Sequence, residues 1–325
     1  MHRRSFLATA CSGLAAAAWH SPSPAQPGAA RLLVGFAPGG TGDFVARTLA
    51  DQLRAVHYAP QVIVENRPGA GGVIAVQAAK AALPDGLTLL NTPASVLTIL
   101  PHTHKRPPFD ALRDVVPVAT VSDLDFAIVA GASTPATSLG ELMALIRRDR
   151  KLAIYGTAGV GTMSHVIGVM LARRAGIEWV HAPYRGGNAA LQDVLGGQLP
   201  VAILSLGETM LRAHREGRVR LLATSGARRS RFMPDVPTIE DAGYKGVVAS
   251  DWNTVVAPPG TPEPLLERAA RSIAAITDDP AFAAALGRMC IDPLKLARDA
   301  MAARLEAEHQ AMGQLVREEM ISVES

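Results

Sequence analysis

From residue 31 onward, short apolar runs alternate with segments whose apolar residues recur every three or four positions. The first run, 31–37, predicts a strand; after the turn Pro38-Gly39-Gly40-Thr41-Gly42, Val45, Leu49, Leu53 and Val56 fall on one face of a helix. The same alternation continues through the strand QVIVEN (61–66), the loop RPGAGG (67–72), an Ala-rich helix to about Leu83, the turn Pro84-Asp85-Gly86 and the strand LTLLNT (87–92). Continuous apolar strands separated by helices imply a largely parallel sheet covered on both faces, the α/β class.

A second set begins near residue 117. Residues 116–132 read as two strands interrupted by Ser122-Asp123, followed by the helix SLGELMALIRRD. LAIYGTAGVGTMSHVIGVMLARRAG (152–176) then repeats the opening plan of strand, glycine turn and helix. EWVHAPY, PVAILSL and VRLLATSG predict strands, separated by the helix NAALQDVLGG and another near 207–217. Each set predicts its own sheet. Beyond VVASDWNTVVAPPG (247–260), Thr261-Pro262 marks a helix start, with Leu265, Ala269, Ile273 and Ile276 as its apolar face. Helices near 280–289 and 296–319 complete the reading.

The first thirty residues do not belong to either set. Arg3-Arg4-Ser5-Phe6-Leu7, a short apolar stretch and then small residues and prolines follow the plan of a twin-arginine export signal, with cleavage after Ala25 or Ala30. The stretch is too short for a membrane span. Export places the protein in the periplasm and changes its charge. The whole chain has 32 basic and 29 acidic residues; without Arg3 and Arg4 the balance is 30 against 29. A near-neutral chain with 4% aromatic residues has neither the field nor the stacking platforms of a nucleic-acid binder. Loss of Cys11 leaves Cys290 alone, read as buried within an apolar helix, so stability rests on packing.

The chemistry lies in the two glycine turns. A turn between a parallel strand and a helix presents unpaired N–H groups and the positive end of the helix dipole to an anion. The kind of anion stays open. The spacing Gly35 to Gly40 is that of a phosphate loop, but Thr41 stands where lysine is required; Gly40-Thr41-Gly42 begins a dinucleotide fingerprint, but Val45 replaces its last glycine. Asp43 suits an N-cap and would repel a phosphate. The second turn, Gly156 to Thr162, adds amides and two hydroxyls without lysine or arginine. Both turns suit a small carboxylate, or they serve only close helix–strand packing.

Six segments, GFAPGGTGDFVARTLADQL, VIVENRPGAGGVIAVQAAKAALPDGLTLL, YGTAGVGTMSH, VHAPYRGGNAALQDVLGGQ, LLATSGARRSRFMPDVPTIEDAG and VVAPPGTP, resemble in order and spacing the Bug/TctC family of periplasmic solute receptors. The resemblance implies a two-domain clamp of the type II periplasmic binding protein kind. Residues 31–125 and 252–325 would form one domain, 126–251 the other, and 1–30 the signal peptide. It implies a small carboxylate ligand (a mono- or dicarboxylate, an amino acid or an aromatic acid), a membrane permease of the tripartite tricarboxylate type as partner, a monomer, no cofactor and no catalysis. By position, ligand contacts fall on Phe36, Ala37, Pro38, Gly39, Gly40 and Asp43 in the first turn and Gly156, Thr157, Gly161, Thr162 and His165 in the second. Thr92, Tyr184, Ser205 and Trp252 would line the rest of the cleft. Pro200, Asn253-Thr254 and Leu87 depart from the family's pattern.

Enzyme motifs are incomplete. ILSLG around Ser205 is half of a nucleophile elbow, and His102-x-His104 lacks a third metal ligand. Arg185 reads as an exposed loop residue and stays outside the candidate site. The alternative is an exported Rossmann-like NAD(P)-dependent oxidoreductase, with Glu65 as its ribose-binding acid.

Overall fold

The apolar runs of the first set become parallel strands. The computed structural model describes residues 28–321, so residues 1–27 of the export signal and a cut after Ala25 lie outside the described residues. β1 (Ala29–Val34) is followed by α1 (Thr41–Ala55), β2 (Gln61–Asn66), α2 (Val73–Lys80) and β3 (Thr88–Pro93). β1 lies between β2 and β3, parallel to both. Val45, Leu49 and Leu53 of α1 are buried as their spacing requires, whereas Val56 is the exposed C-cap.

A short α3 (Ala94–Thr98) leads to β4 (Val116–Leu124), which crosses through Asp125 into β5 (Phe126–Gly131) of the other sheet. Ser122-Asp123 does not interrupt the strand. Ser122 Oγ accepts a hydrogen bond from Asn253 Nδ2 at 2.9 Å, so a polar residue is satisfied within the ladder. The second set then runs α4 (Leu139–Arg148), β6 (Ile154–Thr157), α5 (Met163–Ala175), β7 (Val180–Pro183), α6 (Gly187–Leu195), β8 (Val201–Ser205), α7 (Glu208–Arg215) and β9 (Val219–Thr224). Ser138 caps α4, its side chain accepting from the Glu141 N–H.

The chain returns to the first sheet as β10 (Asp251–Ala257) and finishes with α8 (Glu263–Thr277), α9 (Pro280–Gly287), β11 (Asp292–Pro293) and α10 (Arg298–Glu318). Thr261 does not cap α8: its hydroxyl donates to Pro258 O at 2.7 Å and Pro262 takes the cap. Leu266 is buried beside Ala269, Ile273 and Ile276, while Leu265 is half-buried. Cys290 is buried as expected but lies in the turn beyond α9, at φ +60°.

The strand orders are β11-β4-β10-β3-β1-β2 and β7-β6-β8-β5-β9. Both sheets share a five-strand plan of three parallel strands, one antiparallel strand, β10 or β5, and a further strand parallel to the first three, to which the first sheet adds the short β11, antiparallel to β4. In each sheet the antiparallel strand arrives directly from the other lobe. Apolar clusters cover both faces of both sheets. α10 joins the two lobes: Met301 and Leu305 pack in a core of the first, Val316 in a core of the second.

Asp125 sits at the crossing; its carbonyl accepts from Leu206 N at 2.9 Å, but its carboxylate makes no hydrogen bond or ion pair among the described residues. Burial, with Asp123 and Asp292 nearby, pushes its carboxyl up to about 6. A raised native pKa contributes stability below about pH 3.8 that is lost as pH rises through 6, leaving a cost at neutral pH. Asp125→Asn should therefore stabilise the protein by about 1–3 kcal/mol at pH 8 and by nothing at pH 3. Thermal melts at the two pH values check this; an equal shift at both would refute it.

Candidate functional site

The first turn is shaped from behind by a buried acid. α1 starts on Gly40 without a side-chain cap, so the expectation that Asp43 caps this helix fails. Asp43 lies one turn inside and is buried; its Oδ2 accepts from Gly39 N and Arg47 Nε, both at 2.9 Å, and its Oδ1 from Asn66 Nδ2 at 2.8 Å. Burial works against its charge, but the hydrogen bonds from Arg47, Gly39 and Asn66 outweigh it and hold the carboxyl below its ordinary range. Gly39, at φ +81°, needs the freedom of glycine.

The second turn is backed by two histidines. Thr157 Oγ1 lies 2.6 Å from His181 Nε2, His165 Nδ1 faces the Gly161 N–H at 3.3 Å, and the two rings stack 3.8 Å apart. Burial pushes His165 down to about 4; burial together with His165 pushes His181 down to about 3. Both imidazoles should stay neutral between pH 8 and 5, which their ring proton resonances would report as flat titration curves. Because the unfolded chain takes up these protons near pH 6.5, the pair favours the folded state at neutral pH, and that contribution is lost as pH falls toward 4.

Between the lobes lies a cavity of about 340 Å³, within the range of small-molecule sites. Of the residues expected at the site, Phe36, Ala37, Pro38, Gly39, Gly40, Gly161, Thr162 and Ser205 line it. The lobes touch around it. Thr41 Oγ1 lies 3.3 Å from Ser205 Oγ, and Asn188 Nδ2 donates to Gly39 O at 2.9 Å. Thr41 and Gly42 of α1, and Thr162, Met163 and Ser164 at the start of α5, also line it. The first backbone bonds within these helices run from Phe44 N to Gly40 O and from His165 N to Thr162 O. The amides before them have no intrahelical partner and stand at the cavity.

The other seven expected residues are not in its wall. Asp43, Thr157 and His165 brace the turns from behind. Thr92 is buried in β3. Gly156 is a packing glycine, since a Cβ there would stand 2.4 Å from Leu199 Cδ2. Tyr184 donates its hydroxyl to Asp193 at 2.8 Å. Trp252 is fully buried on the far side of β10, its Nε1 donating to Glu308 at 2.9 Å and its ring 4.8 Å from the Arg304 guanidinium. Alternation along β10 instead brings Asp251 and Asn253 to the cavity. Sequence reasoning missed these two, together with Ser95, Asn188, Gln192, Glu208 and Thr209, and set aside Arg185, which lines the cavity from an exposed position. Among the described residues no group of His, Cys, Asp and Glu is arranged to hold a metal ion. Glu65 is paired with Arg67 and, at 3.9 Å, with Arg31.

Two α/β lobes that present two helix N-termini to one shared cavity define a two-lobed solute-binding protein. A family model described as the tripartite tricarboxylate transporter family receptor matches residues 45–320, and the chain belongs to that family, the Bug/TctC periplasmic solute-binding proteins. It is 39% identical over 261 residues to a UPF0065 protein of Bordetella bronchiseptica, covering 80% of this chain and 76% of that one. Among solved structures it is similar to the periplasmic binding protein BugD (TM-score 0.84, 28% identity, 90% of this chain and 98% of the other). It is similar also to the R. palustris protein Rpa4515 with adipate (TM-score 0.85, 26% identity, 90% and 98%). The family is one of solute-binding receptors.

Proposed function

We propose that this chain captures a small organic acid between its lobes in the periplasm and delivers it to a membrane permease of the tripartite tricarboxylate type, or to a sensing partner. The observation that carries this reading is the pair of helix starts, α1 and α5, whose unpaired amides stand at the wall of one cavity between the lobes. The turns hold no lysine to neutralise a phosphoryl group, and the related R. palustris protein carries adipate, a carboxylate. The moving bodies are residues 31–125 with 252–325 and residues 126–251, swinging about the crossings at β4–β5 and before β10, with the end of α10 packed against the second body. The chain acts as a monomer without cofactor or catalysis. Export uses the twin-arginine segment. Cleavage after Ala25 leaves β1 whole, whereas a cut after Ala30 removes two residues that pair with Gln61 and Val62.

Thermal melting of the mature protein against mono- and dicarboxylates, amino acids, nicotinic acid, NAD and NADP tests the reading. A ligand at 100 times its Kd should stabilise by about 2.7 kcal/mol. A response to dinucleotides alone would overturn it.

A further inference from the structure

Resting on the reading of the cavity as an acid-binding cleft, we propose that the acid it takes carries an ammonium group: an amino acid whose carboxylate meets the helix starts and whose amine meets Asp251.

Asp251 opens β10, is 3% exposed and lines the cavity. Its Oδ1 accepts from Ser95 N at 3.1 Å and Trp252 N at 2.8 Å, which fixes the carboxylate in place. The Ser95 hydroxyl donates to the same carboxylate, so its hydrogen bonds all come from neutral donors and no cation pairs with it among the described residues. Asn253, two residues on and so on the same face of the strand, donates Nδ2 to Ser122 Oγ and leaves Oδ1 without a donor. This stretch of wall therefore has acceptors in surplus, whereas the helix starts have donors in surplus.

A buried carboxylate without a counter-charge is costly, and the cost is met most directly by a cation bearing N–H donors. The protein supplies none there: the charged residues lining the cavity are Glu208, Asp251 and Arg185, and Asp251 is ion-paired to neither Arg185 nor any other base among the described residues. A ligand with a second carboxylate would bring like charges together in a site shielded from solvent. An ammonium group would supply the counter-charge that Asp251 lacks and donate to the orphaned Oδ1 of Asn253. Burial already raises the Asp251 carboxyl, to about 6, although Ser95 and Trp252 donate to it, as expected for a carboxylate still lacking its counter-charge.

The test is calorimetric titration of the mature protein with α- and ω-amino acids of two to six carbons, against monocarboxylates and dicarboxylates of the same lengths, repeated on Asp251→Asn. Asparagine keeps the acceptor that holds Ser95 and Trp252 and removes the charge. The best amino acid should bind the wild type at least tenfold more tightly than the acids of its own length, and the variant should lose that preference with its unliganded melting temperature not lowered. If dicarboxylates or plain monocarboxylates bind the wild type more tightly, the inference falls and the acid-binding reading stands. If the preference for amino acids survives in Asp251→Asn, the amine is read elsewhere and the inference falls. If no acid of any kind binds, both fall. The wild-type series decides the matter even where the variant does not fold.

Discussion

Alanine at position 161 should cost this protein its ligand while sparing its fold. Gly161 stands at φ +72°, and a Cβ on it would lie 2.7 Å from Leu100 Cδ2 and 3.4 Å from two atoms of Thr103. The backbone strain of a left-handed alanine is about 1–2 kcal/mol, which a chain of this size survives. The steric overlap is a different matter. Leu100 belongs to the first lobe and Gly161 to the second, so the overlap is relieved by parting the lobes rather than by unfolding either. A binding-competent closed state that becomes a minor species lowers the apparent affinity by its own fraction. Gly161→Ala should weaken binding of whichever acid stabilises the wild type by at least tenfold, enlarge the radius of gyration in solution, and lower the melting temperature by only a few degrees. An unchanged Kd would show that the lobes meet differently around the ligand.

Trp252→Ala should do the reverse, with a loss of about 3–5 kcal/mol in stability and a smaller effect on affinity. The indole is fully buried among Leu97, Leu305 and their neighbours. Removing it opens a void there and deprives Glu308 of a donor, although Glu308 keeps Arg304 at 2.7 Å. The urea midpoint should fall well below that of the wild type. If stability holds and binding disappears instead, Trp252 belongs to the cleft wall after all.

Those two residues also mark where reading the chain reached its limit. The strand QVIVEN, the buried face of α1 and the two glycine turns were legible because each depends on local periodicity or on a backbone conformation that few residues adopt. Asp43 was misplaced because a carboxylate beside a turn can cap the helix from outside or brace the turn from within, and the choice is made by Asn66 and Arg47, the first of them distant in sequence. On β10, alternation separates Asp251 and Asn253 from Trp252, but which set faces the cleft depends on how the other lobe folds over the sheet. The course of α10 was illegible for a related reason. Its pattern predicts a helix, and nothing local says that its two ends enter different cores.

That helix alters what opening means. Two strand crossings alone would let the jaws gape like a book on its spine, but α10 is a rod bolted to both covers. Near its start it is anchored by Met301 and Leu305, midway by His309 Nδ1 against Leu97 O at 3.1 Å, and at its end by Val316, Ile321 and the pairing of Glu319 with Arg173. Gly313 passes so close to His102 that a Cβ there would stand 2.7 Å from the ring. Any parting of the lobes therefore has to bend the last turns of the rod or peel them from one cover, a strain that two bare strand crossings would not impose.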